Sequence, residues 1–375
     1  MDTAVPGTAL PIDERWIDAI YRVRSSAAAI DARAKAIALE QSVEAPLDAV
    51  ADARVLAEVV ARVEGIAPVA AGEYDVTIRI AVETTGYEAG QLVSMLFGNS
   101  SLHDDVALAD ARIPASVARR FGGPRFGIAG LRALTGVHGR PLTASALKPQ
   151  GLAPAQLAAL AGTLARAGID VVKDDHGLAD QDAAPFRARV HAVQRAVDAA
   201  NRETGQRCVY APSLTGHFGQ LREQAAIARD AGVRMILTAP MVSGVGSLAA
   251  LAREAGVPIL AHPALAGAAR IAPPLLLGKL FRLFGADATI FPNAGGRFAY
   301  SAETCAAIVD AACAPWHGLA PTLPVPAGGM TVARVAGMRE RYGDDAMFLI
   351  GGGLLAARER LYDRAREFAA AVRGG

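Results

Sequence analysis

The chain up to about residue 135 mixes the hydrophobic patterns of strands and helices. Arg15 to Arg24 has a strand pattern, and Tyr74 to Glu83 alternates apolar and polar positions with β-branched residues, as a half-buried strand does. Ile30 to Gln41 and Tyr87 to Phe97 have helical patterns. We therefore predict a small α+β domain, ferredoxin-like in type, over residues 1–135.

From Gly139 onward, short apolar runs alternate with helical segments of roughly 10 to 20 residues. The runs predict eight strands, at Leu142–Leu147, Asp170–Asp174, Cys208–Leu214, Met235–Ala239, Ile259–His262, Ala288–Pro292, Leu323–Pro326 and Met347–Ile350. Eight strands that alternate with helices over about 235 residues are the expected content of a (β/α)8 TIM barrel. We assign residues 136–375 to this barrel, with a doubly wound open sheet as the alternative.

Chemistry in TIM barrels takes place at the C-terminal ends of the strands. The side chains to consider are therefore the polar ones that follow each apolar run. They are Lys148, Lys173, Asp174, Asp175, His176, His262, Asn293 and Arg297, with the glycines of Gly295-Gly296, Gly328-Gly329 and Gly351-Gly352-Gly353.

The second predicted strand ends in four polar residues, Lys173, Asp174, Asp175 and His176. Strand alternation would direct Lys173 and Asp175 to one face, and Asp174 and His176 to the other. Burying a lysine with two carboxylates is unfavourable unless these groups form ion pairs or bind a metal. A structural ion-pair network and a hard-cation site, with Mg²⁺ the best match to carboxylates, are both open.

Two isolated residues also have two interpretations each. Lys148 is either a solvated loop residue or a base whose pKa is lowered by a dry barrel wall. His262 is either a structural histidine or a functional one.

The paired glycines Gly328-Gly329 and Gly351-Gly352 follow strands seven and eight, where TIM barrels often bind phosphate through backbone N–H groups.

Composition narrows the possible partners. The net charge of +1, with 20% charged and 52% hydrophobic residues, gives no reason to expect a nucleic acid or a membrane as partner. The three cysteines, Cys208, Cys305 and Cys313, lack metal-ligand spacing, and the N-terminal sequence lacks the pattern of a secretory signal. We therefore expect a soluble protein of the reduced cytoplasm.

Several segments resemble the RuBisCO large-chain superfamily. GRPLTASALKP is similar to the family's first barrel strand, GIDVVKDD to its metal strand, PILAHPAL to its fifth strand, and PAGGMTV and FLIGGG to its phosphate loops. The resemblance implies that Lys148 transfers protons and that His262 is an active-site residue. It also implies that Lys173, carbamylated by CO2, binds Mg²⁺ together with Asp175.

The N-terminal part carries the same resemblance. LFGNSS is similar to the stretch with the family's active-site asparagine, here Asn99, and ALEQSVE to the stretch with a glutamate that enters the partner subunit's site, here Glu40. The resemblance therefore implies a homodimer with its active sites at the interface.

Four departures from the family pattern limit the activity. The third metal ligand, a glutamate in the family, is His176, and the second lysine near the first strand is Gln150. The arginine that binds a second phosphate is replaced by Pro263, and the loop FPNAGGRF after strand six, which contains Arg297, lacks the lysine needed for carboxylation. The chain thus resembles the non-carboxylating RuBisCO-like proteins.

We expect metal-assisted enolate chemistry on a phosphorylated keto-sugar or sugar acid. Lys148, Lys173, His262, Asn99 and Glu40 are the catalytic candidates. Lys173, Asp175 and His176 are the metal candidates, and Gly328, Gly329, Gly351, Gly352 and Arg297 are the phosphate candidates. Decarboxylation of a 3-oxo sugar acid such as oxo-isoapionate 4-phosphate is the main hypothesis. The alternatives are an isomerase or enolase acting on a methylthio-sugar 1-phosphate and a non-catalytic regulatory homologue.

Overall fold

The structure, a computed structural model, describes residues 14–298 and 300–374. Most of the N-terminal segment in which we looked for a secretory signal lies outside the described residues. Of the helices described, none combines the length and the apolar character that a membrane crossing requires. The chain divides into two compact units, one comprising the residues up to Arg120 with Arg270–Ala272, and the other Phe121–Ala269 with the residues from Pro273 onward.

The N-terminal unit is built on a four-stranded antiparallel sheet with the order β2-β3-β1-β4. Its main elements follow the βαββαβ order of a ferredoxin-like domain, which confirms the prediction. They are β1 (Trp16–Arg24), α1 (Ile30–Glu40), α2 (Ala53–Glu58), β2 (Arg62–Ala70), β3 (Glu73–Ala81), α3 (Ala89–Phe97), β4 (Val106–Arg112) and α4 (Ala115–Phe121).

β2 and β4 were not predicted from the sequence, and both are edge strands. The apolar residues of β2 are mostly exposed, and the strand contains Gly65 and Pro68. Proline is tolerated at a sheet edge because its missing N–H need not join the ladder. β2 therefore lacks the buried alternation that made β3 recognisable, whereas β4 has it at Val106 and Leu108 and loses it at Asp110.

The second unit is the predicted barrel of parallel strands. Its strands are β5 (Leu142–Leu147), β6 (Val171–Asp174), β7 (Val209–Ala211), β8 (Ser213–Leu214), β9 (Ile236–Thr238), β10 (Ile259–Ala261), β11 (Ala288–Pro292), β12 (Leu323–Ala327) and β13 (Met347–Leu349). Its helices are α5 (Gly127–Thr135), α6 (Pro154–Arg166), α7 (Phe186–Thr204), α8 (Phe218–Asp230), α9 (Pro240–Ser243), α10 (Val245–Glu254), a π-helical turn (Pro274–Leu280), α11 (Phe281–Leu283), α12 (Ala302–Cys313), α13 (Val335–Tyr342), α14 (Gly352–Leu355) and α15 (Leu361–Arg373).

The third strand of the barrel is interrupted at Pro212, which separates β7 from β8. β7 pairs with β6 in an arc ordered β13-β5-β6-β7, whereas β8 pairs with β9 in an arc ordered β8-β9-β10-β11-β12. Proline has no N–H for the ladder, so the interruption coincides with the change of partner. The single strand predicted over Cys208–Leu214 is therefore two strands that join the two arcs.

The first unit ends near residue 120 rather than at the predicted 135, because α5 packs into the barrel core. Ile128 and Leu131 of α5 join the buried residues that fill the barrel interior. The carboxylate of Asp287 accepts hydrogen bonds from the N–H groups of Phe126, Gly127 and Ile259, at 2.7 to 2.8 Å. This contact fixes the start of α5 to the barrel.

Candidate active site

The alternation of barrel strands determines which side chains enter the site. Leu142 and Ala144 of β5, Val171 of β6 and Leu260 of β10 belong to the interior core. Counting on in steps of two from these residues reaches Lys148, Lys173, Asp175 and His262, and all four line one cavity. The same periodicity that fills the barrel with apolar residues therefore ends in polar ones at its C-terminal mouth.

Asp174 has the opposite orientation and takes part in a fully buried network. It pairs with Arg189 of α7, Nε to Oδ2 at 3.1 Å, and both side chains are 0% exposed. The Tyr210 hydroxyl donates to Oδ1 at 2.8 Å and the Ser213 N–H to Oδ2 at 3.1 Å. The structural ion pair considered for this run is thus present, but it involves Asp174 and fixes the strand end from behind.

Two neighbouring side chains contact the Asp175 carboxylate. Lys148 Nζ lies 2.7 Å from Asp175 Oδ1, and His176 Nδ1 lies 3.3 Å from the same oxygen. Burial alone would raise the pKa of this carboxyl, but hydrogen bonds from His176 and Lys148 and the charge of Lys173 bring the pKa well below its ordinary value. Asp175 is therefore an anion in the site.

His176 lines the same cavity as Lys173 and Asp175, so its assignment to the opposite face was wrong. The strand ends at Asp174 and the backbone turns at His176, so the two-residue alternation no longer applies. The His176 ring stacks on that of His262, with centroids 4.0 Å apart and planes at 11°.

Lys173 is buried, at 2% exposure, and its Nζ donates to the Asp174 carbonyl at 2.7 Å. Burial lowers the pKa of its ammonium to about 8, although the charges of Asp175 and Asp174 oppose the shift. A lysine with a lowered pKa reaches the neutral amine form more readily near neutral pH, and that form is the nucleophile.

His262 is neutral in this environment. Burial lowers the pKa of its imidazole to about 2, and the positive charge of Lys173 acts in the same direction. The Ala264 N–H donates to Nδ1 at 3.1 Å, which leaves the proton of a neutral ring on Nε2. His262 can therefore act as a hydrogen-bond donor through Nε2.

The cavity has a volume of about 550 Å³. Gly328 and Gly329 follow β12 and line it together with Gly351 and Gly352, which follow β13, and with Arg297. Gly329 has φ +77°, and a Cβ on it would lie 2.9 Å from the Arg297 backbone nitrogen. Glycine at this position thus allows two loops to approach closely.

Gly352 begins the short helix α14. The Leu354 N–H of its first turn donates to the Gly351 carbonyl at 3.0 Å, so the N–H groups of Gly352 and Gly353 are the ones that can contact an anion. The residues predicted to bind phosphate therefore line the same cavity as Lys148, Lys173, Asp175 and His262.

The apolar part of the lining was not predicted from the sequence. Pro263 and Leu265, which follow β10, Phe298 after β11, and Met330 after β12 also line the cavity. Apolar residues in loops carry no recognisable chemical pattern, and only the position of Pro263 had been noted.

Asn99 and Glu40 lie in the N-terminal unit, where they contact each other. The Asn99 side-chain amide donates to Glu40 Oε1 and to Glu44 Oε1, both at 2.8 Å. Glu44, which the sequence analysis did not single out, thus shares the amide with Glu40. This contact holds the two carboxylates together at the C-terminal end of α1.

Within residues 14–298 and 300–374, no three His, Cys, Asp or Glu side chains converge so that they could hold a metal ion. Asp175 and His176 are adjacent, but a third ligand would have to come from another residue type. Lys173 is the neighbouring candidate, and an unmodified lysine ammonium has no lone pair to offer.

Comparison with known proteins places these features in context. The sequence profile of the ribulose bisphosphate carboxylase large chain, catalytic domain, matches residues 127–358. The chain is 53% identical to a 5-methylthioribulose-1-phosphate isomerase from Rhodospirillum rubrum, over 95% of this chain and 96% of that protein. It is 36% identical to a 2,3-diketo-5-methylthiopentyl-1-phosphate enolase from Geobacillus kaustophilus, over 79% of this chain and 74% of that one.

The fold also matches that of a solved structure over nearly the whole chain. The crystal structure of a Rubisco-like protein from Rhodopseudomonas palustris superposes with a TM-score of 0.90 at 49% identity, covering 96% of this chain and 98% of that chain. The similarity therefore extends over both units.

Proposed function

Because the chain belongs to the RuBisCO large-chain family, in its non-carboxylating RuBisCO-like branch, we propose that it isomerises a methylthio-substituted keto-sugar 1-phosphate through an enediolate. The observation that carries the proposal is one cavity that joins Lys148, Lys173, Asp175 and His262 to paired glycine loops. These side chains support the chemistry, and the 53% identity to the isomerase supports the substrate class.

The proton-transfer step assigned to this site balances without an added oxidant or reductant. Lys148, as the free amine, takes a proton from the carbon next to the ketone, and the electron pair moves onto the carbonyl oxygen. His262 donates from Nε2 toward that oxygen and stabilises its developing charge. The hydroxyl on the carbon that lost its hydrogen passes its proton to the former ketone oxygen and becomes the new carbonyl. Return of the proton from Lys148 to the former ketone carbon then completes the isomerisation.

The donor set fits a divalent cation in one state of Lys173. Carbamylation would replace its buried positive charge with anionic oxygens beside Asp175 and His176, which suit a hard cation together with one imidazole. Such a cation, Mg²⁺ by resemblance to the family, would act as a Lewis acid on the enediolate oxygens. Lys148 Nζ lies 2.7 Å from Asp175 Oδ1, so the Asp175 carboxylate would have to contact both this lysine and the cation.

The decarboxylation of oxo-isoapionate 4-phosphate, the main hypothesis from the sequence, has less support. The relatives described above carry the names of an isomerase and an enolase, and the 36%-identical enolase makes enolisation of a diketo-methylthiopentyl phosphate the second candidate. Both activities use the same enolate step, so the residues assigned above serve either one.

A panel of three substrates in D2O, followed by ³¹P and ¹H NMR, tests the proposal. We expect 5-methylthioribulose 1-phosphate to be converted into an isomer with incorporated deuterium. Conversion of only the diketo compound would transfer the assignment to an enolase, and CO2 release from oxo-isoapionate 4-phosphate would restore the decarboxylase hypothesis. No reaction with any of them would favour the non-catalytic homologue.

Metal and CO2 are expected to stabilise the fold jointly. Mg²⁺ with bicarbonate should raise Tm by a few degrees, and by more than either does alone, because the cation binds only after carbamylation. Lys173→Met should abolish this joint effect, whereas Lys35→Met on the exposed surface of α1 should retain it. Calorimetry measures the shift, and an equal response of both variants would contradict the carbamate site.

A homodimer with shared sites is expected to show complementation between inactive subunits. Glu40→Gln and Lys148→Met chains, each inactive alone, should together regain about a quarter of wild-type activity, since half of the dimers are hybrids with one intact site. Co-expression with two affinity tags provides the hybrids. Inactive hybrids, or a strict monomer in light scattering, would count against an interface site.

A further inference from the structure

One side of the cavity mouth is apolar. The lining residues 263–267, after β10, and 290–292, in β11, are all uncharged. Phe298 extends this surface beyond β11. Its ring lies against the loop after β12, since a Cβ on Gly328 would lie 3.0 Å from it. The glycine loops that follow β12 and β13 line the cavity as well, together with polar residues that follow β5 and β6.

Two side chains on this apolar side are more exposed than large apolar residues usually are. Leu265 is 60% exposed and Phe298 is 50% exposed. Exposed apolar side chains at a cavity mouth lose contact with water when an apolar ligand group covers them. Their exposure therefore points to a ligand with an apolar part.

Leu265 also adopts an unfavourable backbone conformation. It has φ 63° and ψ 0°, the left-handed region in which glycine and asparagine are common and leucine is rare. Folding alone would favour glycine here, because Leu265 is exposed and contributes little to the core. Strain of this kind at the border of a site indicates a function for the side chain.

We propose that Leu265, Phe298 and Pro263 form an apolar subsite for the terminal substituent of the substrate, at the end distant from its phosphate. This inference rests on the proposed function for the position of the phosphate, which the glycine loops would bind. A thioalkyl or alkyl end is accepted, whereas a second phosphate would lose hydration beside the uncharged residues 263–267. The Arg297 guanidinium, 5.0 Å from the centre of the Phe298 ring, borders this surface on the side of the glycine loops. Leu265 and Phe298 thus determine specificity.

The size of the expected effect follows from the burial of methylene groups. Each methylene that leaves water contributes about a fourfold gain in affinity. A series of n-alkyl phosphates from methyl to pentyl should therefore bind progressively more tightly, until the chain has crossed the apolar side. Inorganic phosphate gives the baseline for the series.

The test compares Leu265→Gly with wild type by calorimetric titration of the alkyl phosphates. The variant should reduce the gain per methylene and bind inorganic phosphate as the wild type does, and its Tm should be equal or higher because glycine relieves the strain. Arg358→Gly is the matched control, since Arg358 also has positive φ, 48°, and lies outside the cavity lining. Phe298→Ser provides a second, independent removal of the apolar surface.

A flat wild-type series overturns the subsite, and a series equally steep in wild type, Leu265→Gly and Phe298→Ser overturns its assignment to these residues. Alkyl phosphates contain no ketone and cannot react. A chain-length dependence therefore stands even if the isomerase assay fails, and an active isomerase with a flat series would refute the subsite alone.

Discussion

Replacing Lys148 by methionine is expected to slow deuterium exchange into 5-methylthioribulose 1-phosphate by about 10²–10⁴-fold, the contribution of a well-placed general base. Methionine retains most of the length of lysine but removes the amine that lies 2.7 Å from Asp175. The cavity wall is kept while the group that accepts the proton is lost. Exchange is followed by ¹H NMR in D2O.

Chemical rescue separates a lost base from a damaged site. Lys148→Cys should be equally slow, and alkylation with bromoethylamine, which rebuilds an amine at nearly the same position, should restore much of the rate. Cys208 and Cys305 are buried and Cys313 is partly buried, so the new thiol is the favoured target. An unchanged exchange rate in Lys148→Met, with phosphate still bound, would remove Lys148 from the mechanism.

Arg189→Leu is expected to lower the free energy of unfolding by about 3–5 kcal/mol, because it leaves a buried carboxylate without its cation. Arg189 and Asp174 are both 0% exposed, and the guanidinium also donates to the carbonyls of Ala179 and Ala184. Urea denaturation monitored by circular dichroism gives the change. Arg222→Leu, which breaks an exposed pair with Glu254, should change stability by less than about 1 kcal/mol.

A second substitution tests the reason for this loss. Adding Asp174→Asn to Arg189→Leu should recover part of the stability, because asparagine is neutral. Its carbonyl oxygen can accept from the Ser213 N–H, and its amide can donate to the Tyr210 hydroxyl oxygen. If the double variant is no more stable than Arg189→Leu, the lost hydrogen bonds of the guanidinium, rather than an unpaired charge, account for the effect.

The barrel and its inward-facing polar residues could be predicted because both follow a two-residue period. Lys148, Lys173, Asp175 and His262 continue the positions of core residues on their strands, so the strand count alone selected them. His176 follows the end of its strand and therefore could not be placed by alternation. A period carries information only as long as the backbone stays extended.

Contacts between distant segments could not be predicted in this way. The partner of Asp174 is fifteen residues further on, in α7, and no local pattern connects Asp174 with Arg189. Leu265 gave no signal because its backbone angle, rather than its chemistry, sets it apart. Glu44 likewise became noticeable only when the fold brought it to the amide of Asn99.

The break at Pro212 divides the candidate machinery between two structural halves. Lys148, Lys173 and Asp175 belong to the arc β13-β5-β6-β7, whereas the loops carrying Leu265 and Phe298 follow strands of the other arc. His262 also follows a strand of the second arc, and its ring stacks on His176 of the first, so the two arcs meet at the reacting groups. Leu265 and Phe298 lie further along their loops, and their substitution can change which molecule is bound while Lys148 stays on the first arc. Such a barrel is suited to the evolution of new substrates through changes in these two loops.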